Sequence, residues 1–349
     1  MADPRVCVAI VTYNSSRYIE RCLDAVLSQY APLAVVVADN ASTDGTREIL
    51  ERYRGRIRVI RNHRNEGFAA AQNRIIRSTS SDWVLALNPD VLMRPGFISR
   101  LVEAGEMDPE AGAVCGKLLS IGPGFRPLKR RIVDSTGLYF TPEMRHFDRG
   151  WHEPDGDRFN RTEYIFGASG AAALYRRSMI DDIAIEGSFF DPDFFYYRED
   201  ADVAWRAQLL GWRCIYTPSA AAFHVRAVSP ENRGRVPPAI NMHSVKNRFL
   251  LRIKNATPDL YRRHWLPMTF RDLLVLGGCL FAEPRSLPAF WKLAVCVPRA
   301  LRARRQIMRR RRAGDAFMAR WFNSEPASQP LSGAPVSGRV ERLAASATG

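Results

Sequence analysis

The sequence predicts an α/β protein built on a doubly wound, mostly parallel sheet, followed by a helical C-terminal extension. Three observations carry this. Short Val/Ile/Leu runs alternate with helical-period segments from residue 6 to residue 119, in the order βαβαβαβ. Four of the apolar runs end in polar clusters: Thr12-Tyr13-Asn14, Asp39-Asn40, residues 62–65 and Asn88-Pro89-Asp90. Beyond residue 236 the strand pattern gives way to basic, apolar helices.

Taken in order, residues 6–12 form a continuous apolar run, read as a buried parallel strand. Residues 16–29 carry Ile19, Leu23, Val26 and Leu27 at helical spacing. Residues 33–38 are a second strand, and 43–53 a helix with Ser42 or Thr43 as N-cap. Strands at 57–61 and 83–87 flank a helix at 67–78. A helix at 96–107 and a strand at 113–119 follow. Residues 121–161 break into Gly, Pro and charge and read as irregular and partly mobile. Residues 166–175, FGASGAAALY, read as a glycine-loosened turn leading into a strand or helix. Helices are expected at 177–183 and 201–210, the second closed by Gly211, then a strand at 213–216. The sheet pattern ends after Pro218. The domain reading is 1–235 for the catalytic domain, 236–322 for a helical basic and amphipathic region, and 323–349 for a disordered tail rich in Ser, Ala, Pro and Gly.

Charge narrows the class of partner. Fifty-one Lys and Arg against 36 Asp and Glu leave +15, which calls for something anionic: a membrane surface, nucleic acid or a phosphorylated substrate. Eight arginines crowd residues 299–312. The basic runs lack interleaved aromatics or any nucleic-acid motif, so nucleic acid is not expected. The six cysteines are far apart, without CxxC or His/Cys metal spacing, which excludes a zinc site and fits a reducing cytosol. No apolar signal core follows the N-terminus. The stretch 273–282 is too short to span a bilayer, so no crossing helix is expected.

The polar clusters sit where open α/β sheets bind ligands, beyond the carboxyl ends of strands. Thr12, Tyr13 and Asn14 offer a hydroxyl, an aromatic face and an amide, suited to a base and ribose. Asp39 or Asp44 can accept hydrogen bonds from uracil, thymine or ribose; the competing reading is an Asx turn. Asp90 lies where hard oxygen ligands would hold a cation on a diphosphate. His224 can complete such a shell, or can be an ordinary satisfied histidine. Glu199 and Asp200 open a short helix after the aromatic run FFDPDFFYY. Acidic residues favour a first turn for electrostatic reasons alone, but the aromatic approach points to a walled cleft and a general base.

With those residues in view, the chain resembles the family 2 glycosyltransferases of the GT-A fold, a Rossmann-like sheet, and within them the bacterial rhamnosyltransferase and galactofuranosyltransferase branch. VTYN, DNASTDGT, NEGFAAAQN, LNPDV, VDSTG, FGASGAAALYRR, REDADVAWRAQLLGW and FHVRAVS carry the resemblance over about residues 5–230. It implies inverting transfer from a nucleotide diphosphate sugar, dTDP- or UDP-linked, with rhamnose first. The acceptor it implies is a glycan or lipid-linked glycan of the cell surface. Thr12, Tyr13, Asn14, Asp39 and Asp44 match donor-nucleotide positions, with Gly67, Asn73 and Asn88 nearby. Asp90 matches the last residue of the metal-binding DxD and His224 a metal-ligating histidine, for Mg²⁺ or Mn²⁺. The first Asp of that motif is Asn88 here, a weaker, neutral ligand. Asp200 matches the base, with Glu199 beside it, and Trp151 and Trp205 are candidates for the acceptor site.

A second reading is a catalytically silent, basic binding protein on the same fold. It explains the charge but not Asp200, Asp90 and His224 together. The C-terminal helices are expected to lie on an anionic membrane surface without crossing it, placing the chain on the cytoplasmic side of the bacterial cell membrane.

Overall fold

The computed structural model describes residues 4–226 and 238–331. The first half follows the alternation. Strands β1 (Val6–Thr12), β2 (Leu33–Asp39), β3 (Arg58–Arg61) and β4 (Trp83–Leu87) alternate with helices α1 (Ile19–Leu27), α2 (Thr46–Arg52) and α3 (Phe68–Arg77). A short β5 (Val91–Met93), helix α4 (Phe97–Glu106) and β6 (Ala111–Ser120) follow. The next segment contains β7 (Val133–Ser135), β8 (Leu138–Phe140), β9 (His146–Asp148) and β10 (Glu163–Ile165). Then come β11 (Ala172–Arg176), α5 (Arg177–Ile183), α6 (Glu199–Leu209) and β12 (Arg213–His224). Three long helices, α7 (Pro238–Asn255), α8 (Pro258–Gly277) and α9 (Pro288–Arg310), lead to a short α10 (Asp315–Ala319) and β13 (Gln329–Pro330).

The main sheet runs β13-β10-β12-β6-β11-β4-β1-β2-β3. β4, β1, β2 and β3 are mutually parallel, and β12 is parallel to β6. β11 inserts antiparallel between β4 and β6, so the doubly wound half meets a mixed half there. Strand alternation builds two cores. On β1, Val6, Val8 and Ile10 pack with Leu23 of α1, Leu50 of α2 and Phe97 of α4. Cys7, Ala9 and Val11 face the opposite layer, with Ile75 of α3 and Trp205 of α6. All six cysteines are thiols, five of them buried, where they behave as small apolar residues.

Four expectations change. Helix α2 starts at Thr46 with Gly45 as N-cap, because the Ser42 hydroxyl bonds Asp39 instead of capping. Residues 121–161 carry three strands of defined pairing, pinned by Lys117 to Asp155 and Asn160, both at 2.7 Å. β12 does not stop at Pro218: it bulges between Thr217 and Ala221 and runs on to His224. Within the tail read as disordered, Gln329 and Pro330 pair with β10; residues 332–349 lie outside the described residues.

The domain boundary at 235 also shifts in meaning. Helix α7 is part of the body. Lys254 Nζ lies 3.0 Å from Asp202, and Asn247 Nδ2 donates to the carbonyls of Phe194, Tyr196 and Tyr197 at 2.7–2.8 Å. Helix α8 continues through a π turn, so Pro258–Ala282 spans 25 residues. By length and composition alone that helix is long enough to cross a membrane, a longer apolar stretch than the residues 273–282 picked out in the sequence.

Candidate active site

The chemistry-bearing side chains gather at the carboxyl ends of β1, β2, β4 and β12, joined by the start of α6. Asp90 leaves β4 through Asn88-Pro89, and β5 then zips onto β12, pairing Val91 with His224. The Val225 N–H donates to the Asp90 carbonyl at 3.2 Å. This pairing brings His224 Nε2 to 3.4 Å from Asp90 Oδ1. On its other side, His224 Nδ1 lies 2.7 Å from Asp134 Oδ2. Asp134 also accepts from Arg226, whose other arm reaches Asp148 at 2.7 Å. A charged chain therefore runs Asp90–His224–Asp134–Arg226–Asp148. Burial opposes charge on His224, yet Asp134 and Asp90 push its pKa up to about 10. His224 in turn holds the buried Asp90 below its usual range.

A carboxylate that orients one imidazole nitrogen while the other faces an open ligand is the support found around protein-bound metals. Asp90 and His224 would supply an oxygen and a nitrogen to a divalent cation, whose binding would release the Nε2 proton that the two carboxylates otherwise hold on His224. Among the described residues no group of three His, Cys, Asp or Glu side chains converges as a complete cage. The pair thus fits a cation whose remaining ligands come from a phosphate-bearing substrate and water. Asn88 is half-buried at the end of β4.

Asp200 and Glu199 open α6. Asp200 Oδ2 accepts the Gly170 N–H at 2.9 Å and Oδ1 the Ala201 N–H at 2.7 Å. A Cβ on Gly170 would stand 3.2 Å from Asp200 Cβ and crowd it, which explains the second glycine of FGASG. Burial raises the Asp200 pKa, the backbone donor of Gly170 opposes it, and the charge of Asp148 raises it further. Glu199 is pushed up to about 8 by burial and by Asp200, and its Oε2 makes no hydrogen bond among the described residues. Glu199 is therefore neutral at pH 7 while Asp200 is the more accessible of the two. Two adjacent carboxyls that are both raised can hold one proton between them, so that one serves as neutral acid and the other as charged base.

The donor-side residues divide sharply. Tyr13 and Asn14 are exposed at the strand end, with the Asn14 side chain accepting the Thr43 N–H at 2.8 Å. Thr12 and Asp39 are fully buried: Thr12 Oγ1 donates to Asp39, which also accepts from Ser42 and from Arg47 Nε at 3.1 Å. Asp44 accepts the Ser16 and Thr46 N–H groups, each at 3.0 Å, and the Thr46 hydroxyl. Asn73 is the clearest correction: it is buried, with its amide bonded to both the N–H and the carbonyl of Phe190, so it holds the aromatic run in place. Gly67 lies under Phe195, where a Cβ would come within 2.6 Å of the ring. Of the acceptor candidates, Trp205 is core, packed on Phe140 and Phe322, whereas Trp151 is half-exposed in an open cleft.

Sequence reasoning passed over Asp134, Asp148 and Arg226 as site residues. The signals were VDSTG, which holds Asp134 in a segment read as irregular, and FHVRAVS, which holds Arg226.

Comparison with known proteins agrees with this geometry. Residues 7–184 match the family model described as Glycosyl transferase family 2. An N-acetylglucosaminyl-diphospho-decaprenol L-rhamnosyltransferase of Mycobacterium tuberculosis is 31% identical over 242 residues, covering 64% of this chain and 76% of that protein. Among solved structures, S. aureus TarS in complex with UDP-GlcNAc superposes with a TM-score of 0.53 at 18% identity, covering 86% of this chain and 83% of that one. GalNAc-T7 with UDP, GalNAc and Mn²⁺ gives 0.53 at 13% identity, covering 72% and 48%. These two likenesses establish the GT-A fold.

Proposed function

This chain belongs to glycosyl transferase family 2, and from that premise we propose an inverting transferase that moves a hexose from a nucleotide diphosphate sugar to a hydroxyl of a glycan or lipid-linked glycan in cell-surface polysaccharide synthesis. The observation that carries the reading is Asp200, a carboxylate held by two backbone N–H groups with its basicity raised by burial and Asp148. Asp200 takes the proton as the acceptor oxygen bonds to the anomeric carbon. The bond from that carbon to the diphosphate breaks, and its electron pair leaves on the nucleotide. A single displacement inverts the configuration and needs no enzyme nucleophile. Glu199 stays neutral beside the base and raises no second negative charge against the leaving diphosphate. Asp90 and His224 would hold a divalent cation, Mg²⁺ or Mn²⁺, which when bound neutralises charge on the leaving group.

The donor reading is a dTDP- or UDP-sugar, with dTDP-rhamnose first, supported by the mycobacterial rhamnosyltransferase. Thermal shift and hydrolysis across a panel of nucleotide sugars, with and without Mn²⁺, test it. Stabilisation by dTDP- or UDP-sugars supports the reading. Response to GDP- or CMP-sugars alone contradicts the donor class, and response to none contradicts the transferase.

The attachment reading rests on α8 and α9. Trp265, Leu266, Phe270, Leu273, Phe281 (89% exposed) and Trp291 (75% exposed) leave a broad apolar face uncovered. Asp272, midway along Pro258–Ala282, pairs with Arg252 at 2.6 Å, and Arg252 belongs to the α7 that is locked into the body. A helix tethered at its middle lies along the protein, so its outer face meets a membrane in plane rather than crossing it. The arginine run contributes less than its count suggests. Arg299 pairs with Asp193, Arg304 caps the carbonyls of Ile253 and Ala256, Arg310 and Arg312 hold Asp182, and Arg311 holds Asp315. The proposed attachment, on the cytoplasmic face of the cell membrane, is therefore mainly apolar, with anionic lipid as a second contribution. Flotation with phosphatidylglycerol vesicles should show binding that survives most of a salt titration and falls in a Phe281→Ser/Trp291→Ser variant. Binding abolished by salt alone would return the weight to the arginines, and no binding at low salt would overturn attachment.

A further inference from the structure

The geometry points to a saccharide subsite in the cleft beside the β8–β9 hairpin, with Trp151 and Tyr139 as its aromatic walls; the assignment rests on the transferase reading above. The hairpin alternates as a half-buried ribbon should. Leu138 and Phe140 turn into the core, while Tyr139 between them turns outward and stays half-exposed. Its cross-strand partner Phe147 stacks on it, ring centroids 5.7 Å apart and 28° between planes. Trp151 directly follows Arg149-Gly150 and is also half-exposed. The cleft these rings share holds about 500 Å³, within the range of small-ligand sites.

Its remaining walls are mostly charged: Asp148, Glu153, Arg158 and Glu325, with Pro326 beside them. A sugar ring is the ligand that needs both kinds of wall. Its C–H faces lie on aromatic rings, and its hydroxyls bridge carboxylates and guanidinium groups, because each hydroxyl both donates and accepts. A diphosphate is disfavoured there by three carboxylates, which separates this cleft from the donor side.

The cleft shares one wall with the charged chain of the candidate site. Asp148 is its inner wall, and Arg226 fixes Asp148 Oδ2 at 2.7 Å, linking it through Asp134 to His224. The Arg226 guanidinium lies 5.8 Å from the Trp151 ring centroid, so one residue touches both walls. Asp148 Oδ1 is buried and has no hydrogen-bond partner among the described residues. The side chain as a whole keeps 15% of its surface exposed, and a sugar hydroxyl in the cleft can reach that part. Trp151 and Tyr139 are positioning residues: they place the attacking hydroxyl and take no part in bond exchange.

The test reads binding directly, without turnover. Saturation-transfer NMR on the full chain uses methyl N-acetylglucosaminide and an N-acetylglucosaminyl diphosphate carrying a short phenylalkyl tail, with UDP and dTDP as separate probes. Trp151→Ala should weaken saccharide binding about tenfold, the scale of one lost aromatic face. Trp151→Phe should recover most of it, and Tyr139→Ala should weaken it by a smaller factor. Nucleotide diphosphate binding should be the same in all three variants, which also shows that they fold. If the Ala variants bind either saccharide as the parent does, or the parent binds neither, the subsite is wrong. If saccharide binds but no nucleotide does, the subsite stands and the donor reading falls.

Discussion

Two loops at the same edge of the sheet each carry a pair of carboxylates, and the protein treats them in opposite ways. After β2, Asp39 is surrounded by Thr12, Ser42 and Arg47, and Asp44 by Ser16 and Thr46. Burial works against charge on Asp44, but the bonds from Thr46 and Ser16 win and hold its pKa down to about 2. At the start of α6 the balance reverses. Glu199 is pushed up to about 8 with one oxygen unpartnered among the described residues, and Asp200 is raised despite two backbone donors. A carboxylate whose oxygens are satisfied by its own chain shapes a loop. One kept basic and short of partners is ready to exchange a proton.

Mutations at the two loops should therefore fail in different currencies. The largest effect belongs to Asp200→Asn, which should lower transfer about 10²–10⁴-fold while folding and nucleotide binding persist. Full transfer in that variant would move the base to Glu199 or elsewhere. His224→Ala comes next. It should raise the Mn²⁺ concentration needed for half-maximal transfer, or lower activity, by about 10–100-fold, and EDTA should silence the parent. Parent activity untouched by EDTA would remove the cation from the scheme and leave basic side chains to neutralise the diphosphate.

Asp39→Asn should register in stability. Replacing a buried acceptor of three side chains should cost about 1–3 kcal/mol in chemical denaturation, with transfer per folded molecule close to that of the parent. A loss of donor affinity far beyond the loss of stability would mean that Asp39 reaches the nucleotide after all. Glu199→Gln should have the smallest effect on turnover, since the amide copies the neutral acid. Its signature is in pH. With a folded pKa of about 8 against an ordinary 4.5, the folded chain keeps a proton that the unfolded chain releases. That contribution is complete below pH 4.5 and is lost as pH rises toward 8, so stability falls across this window. The Gln variant should gain on the parent in melting temperature between pH 5 and pH 8. A constant difference over that range would place Glu199 in the same class as Asp44.

Much of the donor half was legible because parallel buried strands write themselves as unbroken apolar runs: Trp83–Leu87 and Arg177–Ile183 match their expected bounds. The base segment was legible too, since two acids after an aromatic run are hard to place on a solvated face. What sequence hid was partnership at long range. Asp134 meets Arg226 across 92 positions, and Arg312 meets Asp182 across 130, and no local pattern announces either. Pro218 looked like the end of the sheet because proline removes a ladder donor; the chain bulges past it and rejoins β6 at Ala221. Asp39 and Asp200 looked alike as letters, and only a count of the groups around each separates them.

Strand β13 has a bearing on self-association. Without it, Tyr164 and Glu163 of β10 would form the outer rim of the main sheet, a row of open N–H and C=O groups onto which a second copy could stack. Gln329 and Pro330 lie on that rim, and proline brings no N–H with which to continue the ladder. The end of the chain thus works as a selvedge. It binds off the fabric at its raw edge, so that neighbouring copies can pack side by side without knitting together.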